Sequence, residues 1–425
     1  MAREHILKHR WTVAVIAILV LLFTVVVAGC GEDEATTTSA APTETTAAPT
    51  ETTAAPTTGS FKVGVNAPYT GINAGAWPGT YNALKVEIER VNAEGGVNGR
   101  LIEMVELDTK SDPTTAANNA TNLCTRDDIA ACFMTYPPEE IAAIAPIVEK
   151  YQMPSITWAS PLNMEGQSEL WKGEWLFYVM ASGEDYTNSI LNEIKAQGWT
   201  SVLGIADQIL LNIEILDLLE ERAGSEGLKV TVMPDQVSLA ETDLTPYCNK
   251  IYAEWKKNPT DAVFLMNAMT QFPQLYKGLR GLGLDVPMVG GPVCAHVASF
   301  AMGPEAVEGA LIVGNAATNA PALPDDYRNK AMMVEYDTLI KEKMEAPLDM
   351  WGAQAIDGCQ VLWEGLKAGG DDRAATRDAI GALKDFPSCQ GGMINYMPGD
   401  HKGISGGWVT WEMTNGEFKF VRALD

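Results

Sequence analysis

Histidine is scarce in this 425-residue chain: there are four, and His5 and His9 lie within the first ten residues. With only His296 and His401 in the remainder and no Cys-x-x-Cys, no metal site and no bound cofactor are expected. Basic residues are few, 30 Lys and Arg against 55 Asp and Glu, for a formal charge of −25. An acidic surface repels nucleic acid and anionic headgroups, so neither is an expected partner. Signatures of chemistry are missing too. Gly278-Leu-Arg-Gly-Leu-Gly ends a helical pattern instead of following a strand, so it reads as a helix stop and not a nucleotide loop. No His-Glu-x-x-His is present and no nucleophile elbow is expected; the acid pairs Asp325-Asp326 and Asp371-Asp372 read as helix starts at the positive dipole end. Without an assembled set of acid, base and nucleophile, the chain is not expected to be an enzyme.

What is present begins with one long apolar run. Arg3, Lys8 and Arg10 precede the stretch Trp11–Val27, which ends in Ala28-Gly29-Cys30. A basic start, a greasy core and small residues before a cut site read as a signal peptide over 1–29. The Ala-Gly-Cys ending resembles a bacterial lipobox, which implies that Cys30 is acylated and becomes the mature N-terminus. The alternative is a plain membrane-spanning anchor, since the run nears the shortest bilayer-crossing length. Residues 30–60 carry Thr-Glu-Thr-Thr-Ala-Ala-Pro-Thr twice, from Thr43 and Thr50, with no aromatic or large apolar side chain before Phe61. Such a segment cannot bury enough surface to offset its ordering entropy, so it reads as a disordered linker with a reach of about 30 to 90 Å. No second membrane-length run follows.

Cys124, Cys132, Cys248, Cys294, Cys359 and Cys389 remain, an even number in a compartment that permits disulfides. Fifteen pairings are open in principle. Cys124 with Cys132 flanks a short helix-to-strand turn and is the favoured pair; Cys359–Cys389 and Cys248–Cys294 are weaker candidates.

From Phe61 onward, apolar strands alternate with amphipathic helices. Strand patterns fall at Phe61–Ala67, Leu101–Leu107, Ile129–Met134 and Ser155–Trp158, with helical patterns at Trp77–Asn92, Pro113–Leu123 and Glu139–Tyr151 between them. The alternation restarts with strands at Ser201–Ala206, Lys229–Met233, Ala262–Met266 and Pro287–Gly290. Helical patterns cover Asp325–Met344, Ala353–Ala368 and Arg373–Leu383, and a hairpin at Gly407–Met413 and Glu417–Arg422 closes the chain. This is an α/β chain with two mostly parallel sheets, and ligands of such sheets bind beyond the carboxyl ends of the strands.

Three strings sharpen the reading: Phe61-Lys-Val-Gly-Val-Asn-Ala-Pro-Tyr-Thr-Gly, Asn92-Ala-Glu-Gly-Gly-Val-Asn-Gly-Arg and Asp108-Thr-Lys-Ser-Asp-Pro. Together with Asp261-Ala-Val-Phe-Leu and Gly281-Leu-Gly-Leu-Asp-Val-Pro-Met-Val-Gly-Gly, they resemble the extracytoplasmic solute-binding proteins of branched-chain amino-acid ABC transporters. The resemblance implies a periplasmic-binding-protein type I fold, two Rossmann-like lobes joined by three crossovers around a ligand cleft. It places lobe I at 61–176 and 316–393 and lobe II at 177–315 and 394–425. It further implies a small-molecule solute, an ABC permease as membrane partner, a lipid anchor through Cys30 and a monomer.

The family's pocket loops map onto Tyr69, Trp77, Tyr136, Glu139, Trp158, Ala159, Ser160 and Asp207, with Trp351 as a further aromatic candidate. Several depart from the family's pattern. The serine turn that holds an amino-acid carboxylate reads Thr135-Tyr-Pro-Pro-Glu139, and prolines remove backbone donors. The Asp-x-x-Tyr-Gly turn reads Asp207-Gln-Ile-Leu-Leu211, without the tyrosine. An ammonium in a dry cleft needs an acid partner, for which Glu139 or Asp207 is available; otherwise the ligand is an aromatic or hydrophobic acid, or an amide. Delivery of an amino acid or related solute to a permease is the leading expectation. A ligand sensor of the same fold is the alternative, and a hydrolase is a third class.

Overall fold

The computed structural model describes residues 59–424, apart from Tyr136, Glu165, Gly166 and Ser168. The leader, Cys30 and nearly all of the linker therefore lie outside the described residues. Among the described residues no helix is long and apolar enough to cross a membrane.

The first sheet is wholly parallel, in the order β2-β1-β3-β4-β5. Its strands are β1 (Ser60–Ala67), β2 (Leu101–Asp108), β3 (Ile129–Met134), β4 (Ser155–Thr157) and β5 (Leu176–Tyr178). All six residues of β3, Ile-Ala-Ala-Cys-Phe-Met, are buried, as a central parallel strand covered on both faces requires. Helices α1 (Trp77–Ala93), α2 (Pro113–Cys124) and α3 (Pro138–Tyr151) cross over between the strands. Asp112 caps α2 by accepting from Thr115 N, and Pro113 follows at its first turn. In β1, Gly64 lets α2 come close: a Cβ there would stand 2.8 Å from Cys132 Sγ and 3.0 Å from Leu123.

The chain then enters the second lobe through α4 (Gly183–Gln197), which opens with a Ser182–Asp185 capping box. Strands β6 (Ser201–Ala206), β7 (Lys229–Val232), β8 (Ala262–Met266), β9 (Met288–Gly290) and β10 (Ala310–Asn315) alternate with α5 (Leu210–Ala223), α6 (Thr245–Lys257) and α7 (Phe272–Gly281). After β10 it returns to the first lobe for α8 (Lys330–Met344), α9 (Met350–Gly369) and α10 (Arg373–Gly381), then β11 (Phe386–Pro387), β12 (Met393–Met397) and β13 (Asp400–Ser405). A last passage leads to β14 (Trp408–Thr414) and β15 (Glu417–Ala423), which finish the second sheet in the order β15-β14-β10-β9-β8-β6-β7. This architecture is the periplasmic-binding-protein type I fold that the strings implied.

Three features differ from the sequence reading. Residues 394–405 do not join the second lobe. Tyr396, fully buried, donates its hydroxyl to Tyr178 O (2.9 Å), and the His401 ring stacks on Phe177 at 4.1 Å, so β12 and β13 pack beside β5. Helix α8 begins at Lys330, because Lys330 Nζ binds back to Leu323 O (2.6 Å) and Asp325 (2.9 Å) and folds the preceding acids into a turn. Gly403-Ile-Ser-Gly-Gly407 has the letters of a hydrolase elbow, but it joins two strands, β13 and β14, and not a strand to a helix.

The six described cysteines are free, buried thiols, which corrects all three expected pairings. Cys248 Sγ faces Leu275 O (3.8 Å) while Cys294 Sγ faces Asn267 O (3.1 Å). Cys359 lies within α9 in the first lobe's core, and Cys389 lies in a turn packed in a separate cluster. Cys124 and Cys132 do meet, thiol to thiol, beneath α2, without a covalent bond. Each of the six packs among buried neighbours, where a free cysteine behaves as a small apolar residue.

Glu87 shows how the first lobe is held. It is fully buried on α1, salt-bridged to Arg90 (2.8 Å), and it accepts from Tyr336 of α8 (2.9 Å) and Trp363 of α9 (3.2 Å). Three side chains around one carboxylate stitch three helices together, and neither carboxylate oxygen is left unpaired.

Candidate ligand-binding cleft

Parallel order puts the loops after β1, β3 and β4 at one end of the first sheet and those after β6, β8 and β9 at the same end of the second. Several bonds connect the lobes there. Asn163 N, after β4, donates to Glu214 Oε1 of α5 at 2.6 Å. His296, after β9, places Nε2 3.5 Å from Asp349 Oδ2 at the start of α9, with the Trp351 ring edge-on at 5.1 Å. Ala298 N donates to His296 Nδ1 (3.1 Å), so the neutral ring carries its proton on Nε2, toward Asp349.

Asp349 has two tasks, because its Oδ1 also caps α9 through Gly352 N at 2.7 Å. Replacing it with alanine is expected to cost about 1 kcal/mol from the cap and to loosen this contact between lobes. Thermal unfolding would report the first effect and small-angle scattering of the unliganded protein the second. An unchanged radius of gyration would show that the bridge has no part in holding the lobes.

The expected site residues divide between packing and cleft. Trp158 is buried in the first lobe's core, stacked on Phe133 (5.2 Å, 13°) and tilted against Trp77 (5.5 Å). A Cβ on Gly358 would stand 2.9 Å from Trp158 Nε1, so α9 passes directly over the indole. Trp77 is equally buried, in contact with Tyr69 and Tyr81. Tyr69 donates its hydroxyl to Glu106 Oε1 on β2 (2.5 Å), which carries it toward the sheet edge. These aromatics pack the lobe, and the stacking platform expected from Tyr69, Trp77 and Trp158 is not assembled. Tyr136 lies outside the described residues.

Ala159 is buried with its N–H on Thr157 Oγ1 (3.1 Å), and Ser160 Oγ donates to Ala181 O (2.5 Å) in the first crossover. Ser160 thus ties the loop after β4 to the segment that leads into α4. Asp207 is fully buried and accepts from Ile209 N (3.0 Å), Asn212 Nδ2 (2.9 Å) and Ala268 N (2.6 Å), which occupies it in shaping the second lobe's loops. Burial still pushes its carboxyl above the usual range. Glu139 is exposed, whereas its neighbour Glu140, passed over in the sequence reading, is buried. Trp351 is half-buried beside His296.

Buried polar atoms that the protein itself leaves unmatched occur at carboxyl strand ends of both lobes. Buried side chains nearly always find a hydrogen-bond partner, so each exception calls for a reason. At the end of β3, Thr135 Oγ1 and both oxygens of Glu140 have none; at the end of β8, both polar atoms of Asn267 have none; on α9, Gln354 has none. All four residues are at most 1% exposed. Gln354 lies one turn before Gly358 on the α9 face that meets Trp158, whose Nε1 is likewise unmatched. Thr135 and Asn267 follow the carboxyl ends of β3 and β8, and Glu140 lies in the first turn of α3. By contrast, a depression of about 320 Å³ bordered by Asp243, Cys248, Lys277 and Met302 runs along α6 and α7, and no unmatched buried atom faces it.

Behind the cleft the three passages between lobes converge on one residue. Gln390 Nε2 donates to Val179 O (2.7 Å) in the first passage, and its Oε1 accepts from Asn315 Nδ2 (3.4 Å) in the second. In the third, Gly407 packs so closely that a Cβ would stand 2.7 Å from Gln390 O. Gln390 is itself held by Asp357 Oδ2 (2.8 Å), which also accepts from Ser388 Oγ (2.5 Å), while Oδ1 accepts from Cys389 N (2.5 Å). Complete burial pushes Asp357 up to about 7.

A sequence profile of the family described as periplasmic binding protein matches residues 60–414. The chain belongs to the periplasmic binding protein family. An amino acid binding protein of Pseudomonas aeruginosa is 25% identical over 261 residues, 59% of this chain and 66% of that relative, just under two thirds of its length. A leucine binding protein of Thermotoga maritima has a TM-score of 0.69 at 20% identity, over 85% of this chain and 98% of that one. A branched-chain amino acid transporter substrate binding protein of Streptococcus pneumoniae, in complex with isoleucine, has 0.69 at 20%, over 85% and 99%. A substrate-binding protein of Desulfitobacterium hafniense in complex with leucine has 0.69 at 16%, over 85% and 100%. At such identities these structures share the fold. Periplasmic binding proteins are solute-binding and extracytoplasmic.

Proposed function

We propose that this periplasmic binding protein is the extracytoplasmic capture component of an ABC transporter. It encloses an amino acid or a related small organic solute between its lobes and releases it, unaltered, to a membrane permease. On this reading Cys30 carries the lipid anchor, and the Thr/Pro/Ala segment lets the head reach the permease. The observation that carries it is the set of buried, unmatched polar side chains at strand ends of both lobes, Thr135 and Glu140 on one side and Asn267 on the other. A ligand that bonded to them would relieve the cost of burying them bare, about 1–3 kcal/mol each. Such a ligand is bound best when the lobes close, which couples capture to a change of shape.

Scattering and thermal shift on the mature protein, titrated with a panel of amino acids, organic acids, amides and amines, test the proposal. A true ligand at 100 times its Kd is expected to raise stability by about 2.7 kcal/mol and to compact the protein. Absence of both effects across the panel, or a chemically altered solute recovered from the mixture, would sink the capture role.

A further inference from the structure

Among the described residues, the start of α3 at the first-lobe side of this cleft has the wrong polarity for a carboxylate. A helix N-terminus ordinarily binds an anion through its free backbone N–H groups and its dipole. At α3 that equipment is dismantled. Pro137, at the N-cap, and Pro138, at the first helical position, have no N–H. Glu140 N–H and Ile141 N–H turn back to Pro137 O at 3.0 and 3.1 Å, so the first turn is left with at most one backbone donor, Glu139 N–H. The first turn also carries two acids, Glu139 and Glu140.

Glu140 is 1% exposed, and neither of its oxygens has a hydrogen-bond partner. It takes part in no ion pair among the described residues, and the charges acting on it, Glu139 and Asp112, are both negative. Burial raises its pKa; the Thr109 and Thr135 hydroxyls lie near enough to temper that, without completing a bond. Thr135 Oγ1 is also buried and unmatched. The position of this pair is fixed at the carboxyl end of the sheet, since Thr135 O accepts from Thr157 Oγ1 (2.7 Å), which in turn accepts from Ala159 N (3.1 Å).

Resting on the solute-binding reading above, we infer that the first lobe receives the nitrogen end of its ligand, a primary amide or an amine, through Glu140 and Thr135, and not a carboxylate. A carboxylate placed there would face an acid and meet few donors among the described residues. An N–H-bearing group would satisfy both Glu140 oxygens and the threonine hydroxyl. A primary amide is matched by a neutral carboxyl group, which pairs with it through two hydrogen bonds, whereas an amine is matched by the ionised form.

Calorimetric titration of the mature protein with matched sets tests the assignment: isovalerate, isovaleramide and isoamylamine; benzoate, benzamide and benzylamine; leucine and leucinamide. The amide or the amine of a set is expected to bind at least tenfold more tightly than its acid. Glu140→Leu should keep its melting temperature, because a leucine there buries no bare polar atom, yet lose at least tenfold in affinity for the preferred compound. Glu140→Gln separates the two nitrogen classes, since it retains an amide and loses an amine. Acids binding as tightly as their amides and amines, or Glu140→Leu binding undiminished, would overturn the inference while leaving solute capture intact. A ligand from the wider panel that has no N–H group would do the same. Failure of every compound to bind or compact the protein removes the capture role itself, and the inference with it.

Discussion

Trp158→Ala is expected to destabilise the protein by about 3–5 kcal/mol, the cost of emptying an aromatic site in a packed core. The indole is 2% exposed, sandwiched between Phe133 and Trp77, with α9 closing over it at Gly358. No neighbour can collapse into the gap, because Phe133 is part of β3 and α9 is itself pinned through Trp363 to Glu87. The loss therefore combines the transfer term with a cavity term. Urea unfolding of the variant beside the parent chain measures it. Destabilisation below about 1 kcal/mol, accompanied by lost ligand binding, would put Trp158 in the pocket and contradict its assignment to the core.

Asp357 is the second large lever, this time on pH dependence. Its carboxyl is raised from an ordinary 3.8 to about 7 by complete burial, against the pull of the Ser388, Cys389 and Gln390 donors. A folded state that favours the protonated acid gains stability from it below about pH 4, and that gain is lost as the pH rises through about 7. A rise of about three pH units corresponds to about 4 kcal/mol across that window. Asp357→Asn cannot ionise and is expected to flatten this part of the stability profile between pH 4 and 7. At low pH the variant should be the weaker of the two. Its amide brings N–H groups toward Ser388 Oγ and Gln390 Nε2, and Gln390 can adapt only by releasing Val179 O. Melting temperatures of both proteins across the window give the answer; parallel profiles would mean that Asp357 does not titrate there.

Much of the fold was legible in the chain. Ile129–Met134, Ser201–Ala206 and Ala262–Met266 form strands over the spans expected from their apolar runs, because a buried parallel strand needs no information beyond continuous hydrophobicity. β5, Leu-Phe-Tyr, went unrecognised, since three residues are too few to show a period. β12 and β13 were missed for another reason: their short, mixed pattern gains strand structure only by packing beside β5. The site was less legible than the fold. Trp77 and Trp158 follow strand ends and so looked like pocket walls, but a residue's place in the chain does not reveal which way its ring turns. Glu139 and Glu140 differ by one position, and the 100° step of a helix exposes the first and buries the second.

The order of apolar and polar residues along the chain was enough to determine two α/β halves and the helices between their strands, because these depend on local periodicity and turn chemistry; the family was legible only through the resemblance carried by particular strings. Tertiary structure alone decided which buried polar atoms go unmatched at Thr135, Glu140 and Asn267, and that Gln390 ties all three passages together. Hydrogen-bond satisfaction is a property of neighbours in space, and residues 135, 267 and 390 become neighbours of their partners only once the lobes have folded.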